Sequence, residues 1–347
     1  MTKRERVEKT FRLEKADRIP FVPAVYEHKG ALIGETPSAI ARDAGLLEKS
    51  LLRELAVYDP DMLVVGVDVY NVEAEALGCR VRFFDASPDV PAIESTPLDR
   101  LEDAGKLVPP DPEKDGRMPV LLKAAEAVHE KCGRDMIVRG ALTGPFSMAC
   151  EIAGLERVLI ASIDNPPLVR RLLDITAEVT VAFGLAYLAR GIETIIFDSR
   201  ATPGVASPRV FREFVLPVYR DRVMPALAAG GAGPVPLIIG GNTTAVLEDL
   251  LATGAGQLLC DAGSDLERFR ARCGERRLPL RANVDARLVH RGPADEIRRR
   301  ALDILRRAGA QPGFLMGCGV VAYDCPPAHV LAVKEAIEEF CGGRPRP

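Results

Sequence analysis

The sequence has no tryptophan and is poor in other aromatics, with 6 Tyr and 12 Phe in 347 residues. That poverty argues against the aromatic platforms on which single-stranded nucleic acids stack. An excess of either charge is also missing. Lys and Arg number 46 against 49 Asp and Glu, with no basic block or stripe, so a nucleic-acid partner is not expected. No apolar run is long enough for a bilayer span, and the charged start Met1-Thr2-Lys3-Arg4-Glu5-Arg6 leads into no apolar signal core. The 8 cysteines (Cys79, Cys132, Cys150, Cys260, Cys273, Cys318, Cys325 and Cys341) form no CxxC pair. No disulfide framework is suggested, and a reducing cytoplasm is the expected setting. No GxGxxG follows the first predicted strand, which weakens the dinucleotide-binding form of an open doubly wound sheet.

What is present is an alternation. Short apolar runs suited to buried strands fall at 19–25, 61–68, 135–142, 194–199, 236–242, 257–261, 280–285 and 313–318. Helical patterns separate them, at 44–57, 118–131, 208–225, 293–308 and 327–340 among others, with the longest opening at Asn165-Pro166-Pro167. Thr36-Pro37 reads as a helix start, with threonine as cap and proline in the first turn. Eight such units predict an α/β chain closed into a (β/α)8 TIM barrel, one domain over 1–347. A proline-rich excursion at about 79–112 predicts a hairpin and loop over one end of the barrel.

Polar residues gather where these strands end. Tyr26, Glu27 and His28 follow the first. Asp68 ends the second, with Glu73 and Glu75 close behind. Asp198 and Ser199 end the fourth, Asn242 the fifth, Asp261 the sixth, Asn283 the seventh and Cys318 the eighth. In a (β/α)8 barrel the carboxyl ends of the strands carry the site. Cys318 stands between Gly317 and Gly319, which bring no bulk near a ligand. Such a thiol is a candidate nucleophile or metal ligand, or else a small buried core residue. Ser199, His28 and Asp68 could be drawn as a hydrolytic triad, but no nucleophile-elbow motif accompanies them.

Several pieces together resemble the uroporphyrinogen decarboxylase superfamily. They are Thr2–Arg6 followed by Asp17-Arg18-Ile19-Pro20-Phe21, the stretch from Asp68 to Glu75-Ala76-Leu77-Gly78, Phe197-Asp198-Ser199 with Ser207-Pro208, and Gly317-Cys318-Gly319 with Pro326-Pro327. The resemblance covers nearly the whole chain and implies a barrel with its site at the carboxyl ends of the strands. In the decarboxylase branch it implies metal-free chemistry with arginines after the first strand and an aspartate after the second. Asp68 matches that aspartate. Tyr26-Glu27-His28-Lys29 stands where the arginines would be, and a polycarboxylate needs guanidinium partners there.

The other branch resembles corrinoid-linked methyltransferases, including methylcobamide:coenzyme M methyltransferases. It implies zinc held by His-x-Cys at the end of strand five and a cysteine at the end of strand eight. Cys318 matches the last of these, while Ile238 and Gly240 occupy the His and Cys positions. A rearranged zinc site from Cys318, His28 and one of Glu27, Asp68, Glu73 or Glu75 is chemically acceptable.

The leading expectation is methyl transfer between a small methylated compound or thiol and a corrinoid carried by a partner protein. Cys318 would act as ligand or nucleophile, with Asp68, His28 and Asp198 also catalytic. Tyr26, Glu27, Glu73, Glu75, Ser199, Asn242 and Asn283 would contact substrate. The alternatives are a metal-free, cofactor-free decarboxylase of a small acid and a non-catalytic binding subunit. The oligomeric state stays open, a homodimer included.

Overall fold

A computed structural model describes residues 1–342. Seven parallel strands form one curled sheet: β1 (Met62–Val65), β4 (Ile137–Thr143), β5 (Glu193–Phe197), β6 (Pro236–Ile238), β7 (Gln257–Cys260), β8 (Leu280–Val284) and β9 (Phe314–Cys318), paired in that order. A separate antiparallel pair, β2 (Arg80–Arg82) with β3 (Ala92–Ser95), is the hairpin expected in the excursion.

The expected first strand differs from the other seven. Residues 19–25 lie between β9 and β1 and close the ring, but as an extended segment with isolated bridges, Phe21–Met316 on β9 and Ala24–Val320 just past its end. Val22 N donates to Met316 O (2.8 Å), Met316 N to Pro20 O (3.0 Å) and Asp61 N to Phe21 O (2.8 Å). Pro20 and Pro23 carry no N–H, so no regular ladder can form there. Asp61 holds this seam at its lower end. Its carboxylate accepts from Phe21 N (2.7 Å), Arg6 Nη1 (2.6 Å) and Arg18 Nη1 (2.6 Å). Higher up, the buried Lys29 ammonium donates to Val64 O and Gly66 O, each at 3.0 Å.

Period-two alternation sorts the strand side chains into two layers. Ala24, Tyr26, Ala141, Ile195, Phe197, Ile238 and Leu259 pack together inside the barrel. Val22, Met62, Ile137 and Leu315 form the layer beneath, plugged by Val7 and Phe11 of the helix Lys3–Phe11. The alternate residues, among them Phe314, Met316 and Cys318, join the larger core between sheet and helices.

The helices follow the expected pattern. Thr36 caps Pro37–Arg42 through Ala39 N, and the longest helix is Pro166–Leu188. The segment expected as one helix over 208–225 alternates α turns with π turns at Phe211–Val215 and Tyr219–Val223. Pro217 and Pro225 lie in this stretch, and proline removes the donors that a regular ladder needs. Among the described residues, no helix is long and apolar enough to cross a membrane.

Candidate active site

A cavity of about 540 Å³ opens at the carboxyl ends of the strands. Its apolar surface comes from the inner layer, Ala24, Phe197, Ile238 and Leu259, with Tyr26 edge-on to Phe197 at 5.5 Å between ring centroids. Val90, Pro91, Ala92 and Ile93 of the hairpin form one wall. The polar wall is Glu27, Asp68, Tyr70, Asn71, Glu151, Ser199, Arg200, Asp261, Arg281 and Asn283.

Five of the expected site residues meet in this cavity: Tyr26, Glu27, Asp68, Ser199 and Asn283. Glu27 is largely desolvated, and burial pushes its carboxyl above the usual range. Asp68 is clamped by Arg117, with Nη1 and Nη2 donating to its two oxygens. Ser199 Oγ accepts from Gly240 N at 3.1 Å, and Ser199 N donates to Tyr70 Oη at 3.3 Å. Asn283 takes a bond from Arg281 Nε (3.1 Å) and gives one to Asp261 Oδ1 (3.3 Å). Asp261 Oδ2 in turn accepts from Gly241 N at 2.9 Å.

The remaining expected residues lie off the cavity wall, each for a local reason. On β9, Gly317 takes the inward position, so Cys318 points into the shell between sheet and helices. There it is fully buried, and burial pushes its thiol up to about 12. Asp198 is likewise one residue past the inward Phe197. It accepts from Ser147 N and Tyr219 Oη, each at 2.6 Å, and holds the start of the helix Pro145–Ala153. His28 is buried under the loop after β9. Its Nδ1 donates to the carbonyls of Ala322 (3.0 Å) and Tyr323 (2.9 Å), and its Nε2 takes the Tyr58 hydroxyl at 2.6 Å. Burial lowers its pKa, which favours this neutral form.

Glu73 accepts from Thr143 N (2.6 Å) and Thr143 Oγ1 (2.7 Å), fastening the helix Asn71–Ala76 to the end of β4. Glu75 receives Arg117 Nε. Asn242 is exposed and accepts from Thr244 N at 3.1 Å. These positions make Cys318, His28, Asp198, Glu73, Glu75 and Asn242 parts of the scaffold around the cavity.

The zinc expectation can be tested on the donors present. Ile238 and Gly240 do face the cavity, at the positions where His and Cys would stand, but they offer no ligand atom. Cys318 faces the other way. Among the described residues, no three His, Cys, Asp or Glu side chains are grouped so as to hold a metal. The side chains of this mouth do not fit the zinc site that the resemblance implies.

Five polar residues of the cavity escaped the strand-end reading, Tyr70, Asn71, Glu151, Arg200 and Arg281, as did Arg117 behind Asp68. Arg281 had a signal. It sits on the same face of its strand as Asn283, two residues earlier, inside the buried run Leu280-Arg281-Ala282-Asn283-Val284. Arg117 comes from a distant loop and had none.

A family model described as "Uroporphyrinogen decarboxylase (URO-D)" matches residues 2–340. A "Methylcobamide:CoM methyltransferase MtaA" of Methanosarcina barkeri (strain Fusaro / DSM 804) is 27% identical over 272 residues, 78% of this chain and 77% of that protein. A "Uroporphyrinogen decarboxylase" of Aromatoleum aromaticum (strain DSM 19018 / LMG 30748 / EbN1) is 28% identical, covering 84% of this chain and 83% of that one. The solved "methyltransferase from Methanosarcina mazei" superposes with a TM-score of 0.86 at 24% identity, over 98% of this chain and 99% of its own, and so shares the fold. The chain belongs to the uroporphyrinogen decarboxylase (URO-D) family.

Proposed function

We propose that this protein is a methyltransferase that moves a methyl group between a small molecule held in the barrel mouth and a corrinoid carried by a partner protein. The observation that carries this reading is the charge of the wall. Glu151 and Arg200 pair with each other, at 3.0 and 3.1 Å, and Arg117 compensates Asp68, which leaves Glu27 and Asp261 beside a single cation, Arg281. A porphyrinogen with many carboxylates would meet like charge here, whereas a small methylated compound would not. Relatives named as methylcobamide:CoM methyltransferases support the same choice.

A cavity of about 540 Å³ suits a small ligand and is too narrow for a corrin macrocycle. The carrier would therefore meet the mouth from outside, and its cobalt would take or give the methyl group there. The chain's own residues orient the small molecule so that its methyl end faces outward. The apolar inner layer excludes water. The amide of Asn283 and the hydroxyls of Ser199 and Tyr70 supply neutral hydrogen bonds. Glu27, with its raised pKa, is the group suited to hold or release a proton beside the ligand.

The test is to mix the purified protein with methylcobalamin and a panel of small thiols, alcohols and amines, following the cobalt absorbance and the methylated product. Methyl transfer that depends on protein is the expected result. Turnover of uroporphyrinogen without methyl transfer would sink the proposal.

A further inference from the structure

Among the described residues, one cation of the barrel interior, Arg281, has no ion-pair partner. Arg281 is 3% exposed and lines the cavity. Its protein hydrogen bonds are Nε to Asn283 Oδ1 at 3.1 Å and Nη2 to the Cys318 carbonyl at 3.4 Å, both to neutral acceptors. Among the described residues, no carboxylate oxygen lies within the 4.0 Å of an ion pair. Two other buried arginines at the barrel wall are paired, Arg139 with Glu193 at 2.9 Å and Arg117 with Asp68 at 2.8 Å, while Arg270, on the helix outside β8, bonds the Pro312 carbonyl and lines no part of the cavity. Asp261 is linked to Arg281 only through the Asn283 side chain, which bonds both. A desolvated guanidinium without a counter-ion is costly unless something else supplies the charge.

The backbone beside it is shaped to admit this side chain. Gly317 occupies the inward position on β9, next to Arg281. A Cβ there would lie 3.1 Å from Arg281 Nη2, 3.1 Å from Asn283 Oδ1 and 2.3 Å from the Val22 carbonyl. Glycine thus clears the space in which the guanidinium and the amide lie, at the level of Asn283, with which Gly317 pairs.

We infer that Arg281 is the anchor for a single carboxylate on the small molecule bound in the mouth. Its Nη1 makes no protein hydrogen bond, so the guanidinium still has donors to offer. A guanidinium presents parallel N–H donors that match the two oxygens of a planar carboxylate. The Asn283 side-chain amide, its neighbour, gives one N–H to Asp261 and keeps a second for the bound acid. Anchoring the acid at this depth leaves the rest of the molecule pointing to the open mouth. The inference rests on the reading of the mouth as the substrate site and adds the class of substrate, a small monocarboxylic acid.

The experiment is calorimetric titration with 3-(methylthio)propanoate, its shorter and longer homologues, the neutral 3-(methylthio)propanamide and methanesulfonate. The proteins are the wild type, Arg281→Gln and Arg281→Lys. At least one carboxylate of the series should bind the wild type, at least tenfold more weakly to Arg281→Gln and with intermediate affinity to Arg281→Lys. The amide should bind all three alike. Thermal melts check each fold, and Arg281→Lys keeps the charge if the glutamine variant does not fold. Equal binding of acid and amide, equal binding of methanesulfonate, an unchanged Arg281→Gln variant or no binding across the series would each overturn the assignment. No methyl carrier is present, so failure of methyl transfer and failure of acid binding are read separately.

Discussion

The Arg117 guanidinium lies across both oxygens of the Asp68 carboxylate, with Nη1 2.9 Å from Oδ1 and Nη2 2.8 Å from Oδ2. Its Nε reaches Glu75, so one side chain from the loop before the helix Met118–Cys132 ties down two carboxylates that follow β1. Asp68 therefore presents a fixed, compensated charge to the cavity. Arg117→Met strips that compensation and should cost about 3–5 kcal/mol of stability, the usual penalty for orphaning a buried ion. Asp68→Leu combined with Arg117→Met should recover most of the loss. Urea unfolding of the three variants tests this, and a double variant as unstable as the single would refute it.

Cys318 gives the opposite kind of expectation. Its thiol packs outside the barrel wall, and burial holds its pKa up at about 12. Cys318→Ala should keep any methyl-transfer rate within about twofold while losing about 1 kcal/mol of stability, as for a small buried apolar side chain. In the wild type, iodoacetamide should label the exposed Cys341 first and leave Cys318 unmodified until the chain unfolds, as peptide mapping would show. A tenfold loss of activity in Cys318→Ala would return the thiol to the mechanism.

A pH dependence follows from Glu73. Burial pushes its carboxyl from 4.5 up to about 7, although two donors from Thr143 face it. A raised native pKa means that the folded state holds the proton more tightly than the unfolded chain. The resulting stabilisation is full below pH 4.5 and fades as pH rises through about 7. Relative to Glu73→Gln, the wild type should lose on the order of 3 kcal/mol between pH 4.5 and pH 8, from a shift of about 2.5 pH units. Parallel stability curves for the two proteins would contradict this.

Lys29 supplies a fourth test. It is fully buried, donates to two carbonyls near β1 and lies 3.7 Å from the buried Glu54. Lys29→Met removes these bonds and the counter-ion together and should destabilise the fold by about 3 kcal/mol. Glu54→Gln leaves the two carbonyl bonds in place and should cost less. Chemical denaturation ranks the two.

Much of the architecture was legible in the chain. The inner layer of Ile195, Phe197, Ile238 and Leu259 comes from strands recognised as short apolar runs, and Thr36 caps its helix as its residue type predicts. The location of the mouth was legible too, because six of the strand-end residues, Asp261 among them, do line it. What misled was treating every polar strand end as facing inward. Side chains alternate, so the inward Phe197 sends Asp198 outward, and the inward Gly317 sends Cys318 outward. Phe197 reveals that phase in the sequence, whereas Gly317 carries no side chain to do so. The bond from Arg117 to Asp68 spans 49 residues and depends on how the excursion folds back, which no local pattern encodes.

The proline-interrupted arc at 19–25 makes this barrel a hoop fastened by a clasp. Six of its eight joints are continuous parallel ladders, while the two that flank this arc rest on scattered backbone bonds and on the side chains of Asp61 and Lys29. Breathing of the hoop should concentrate there, with the amides of Val22 and Val321 exchanging with solvent before those in the middle of β4 or β8. Tyr26 and Glu27 ride on the end of the same arc, so the sector that yields most readily is also a wall of the mouth.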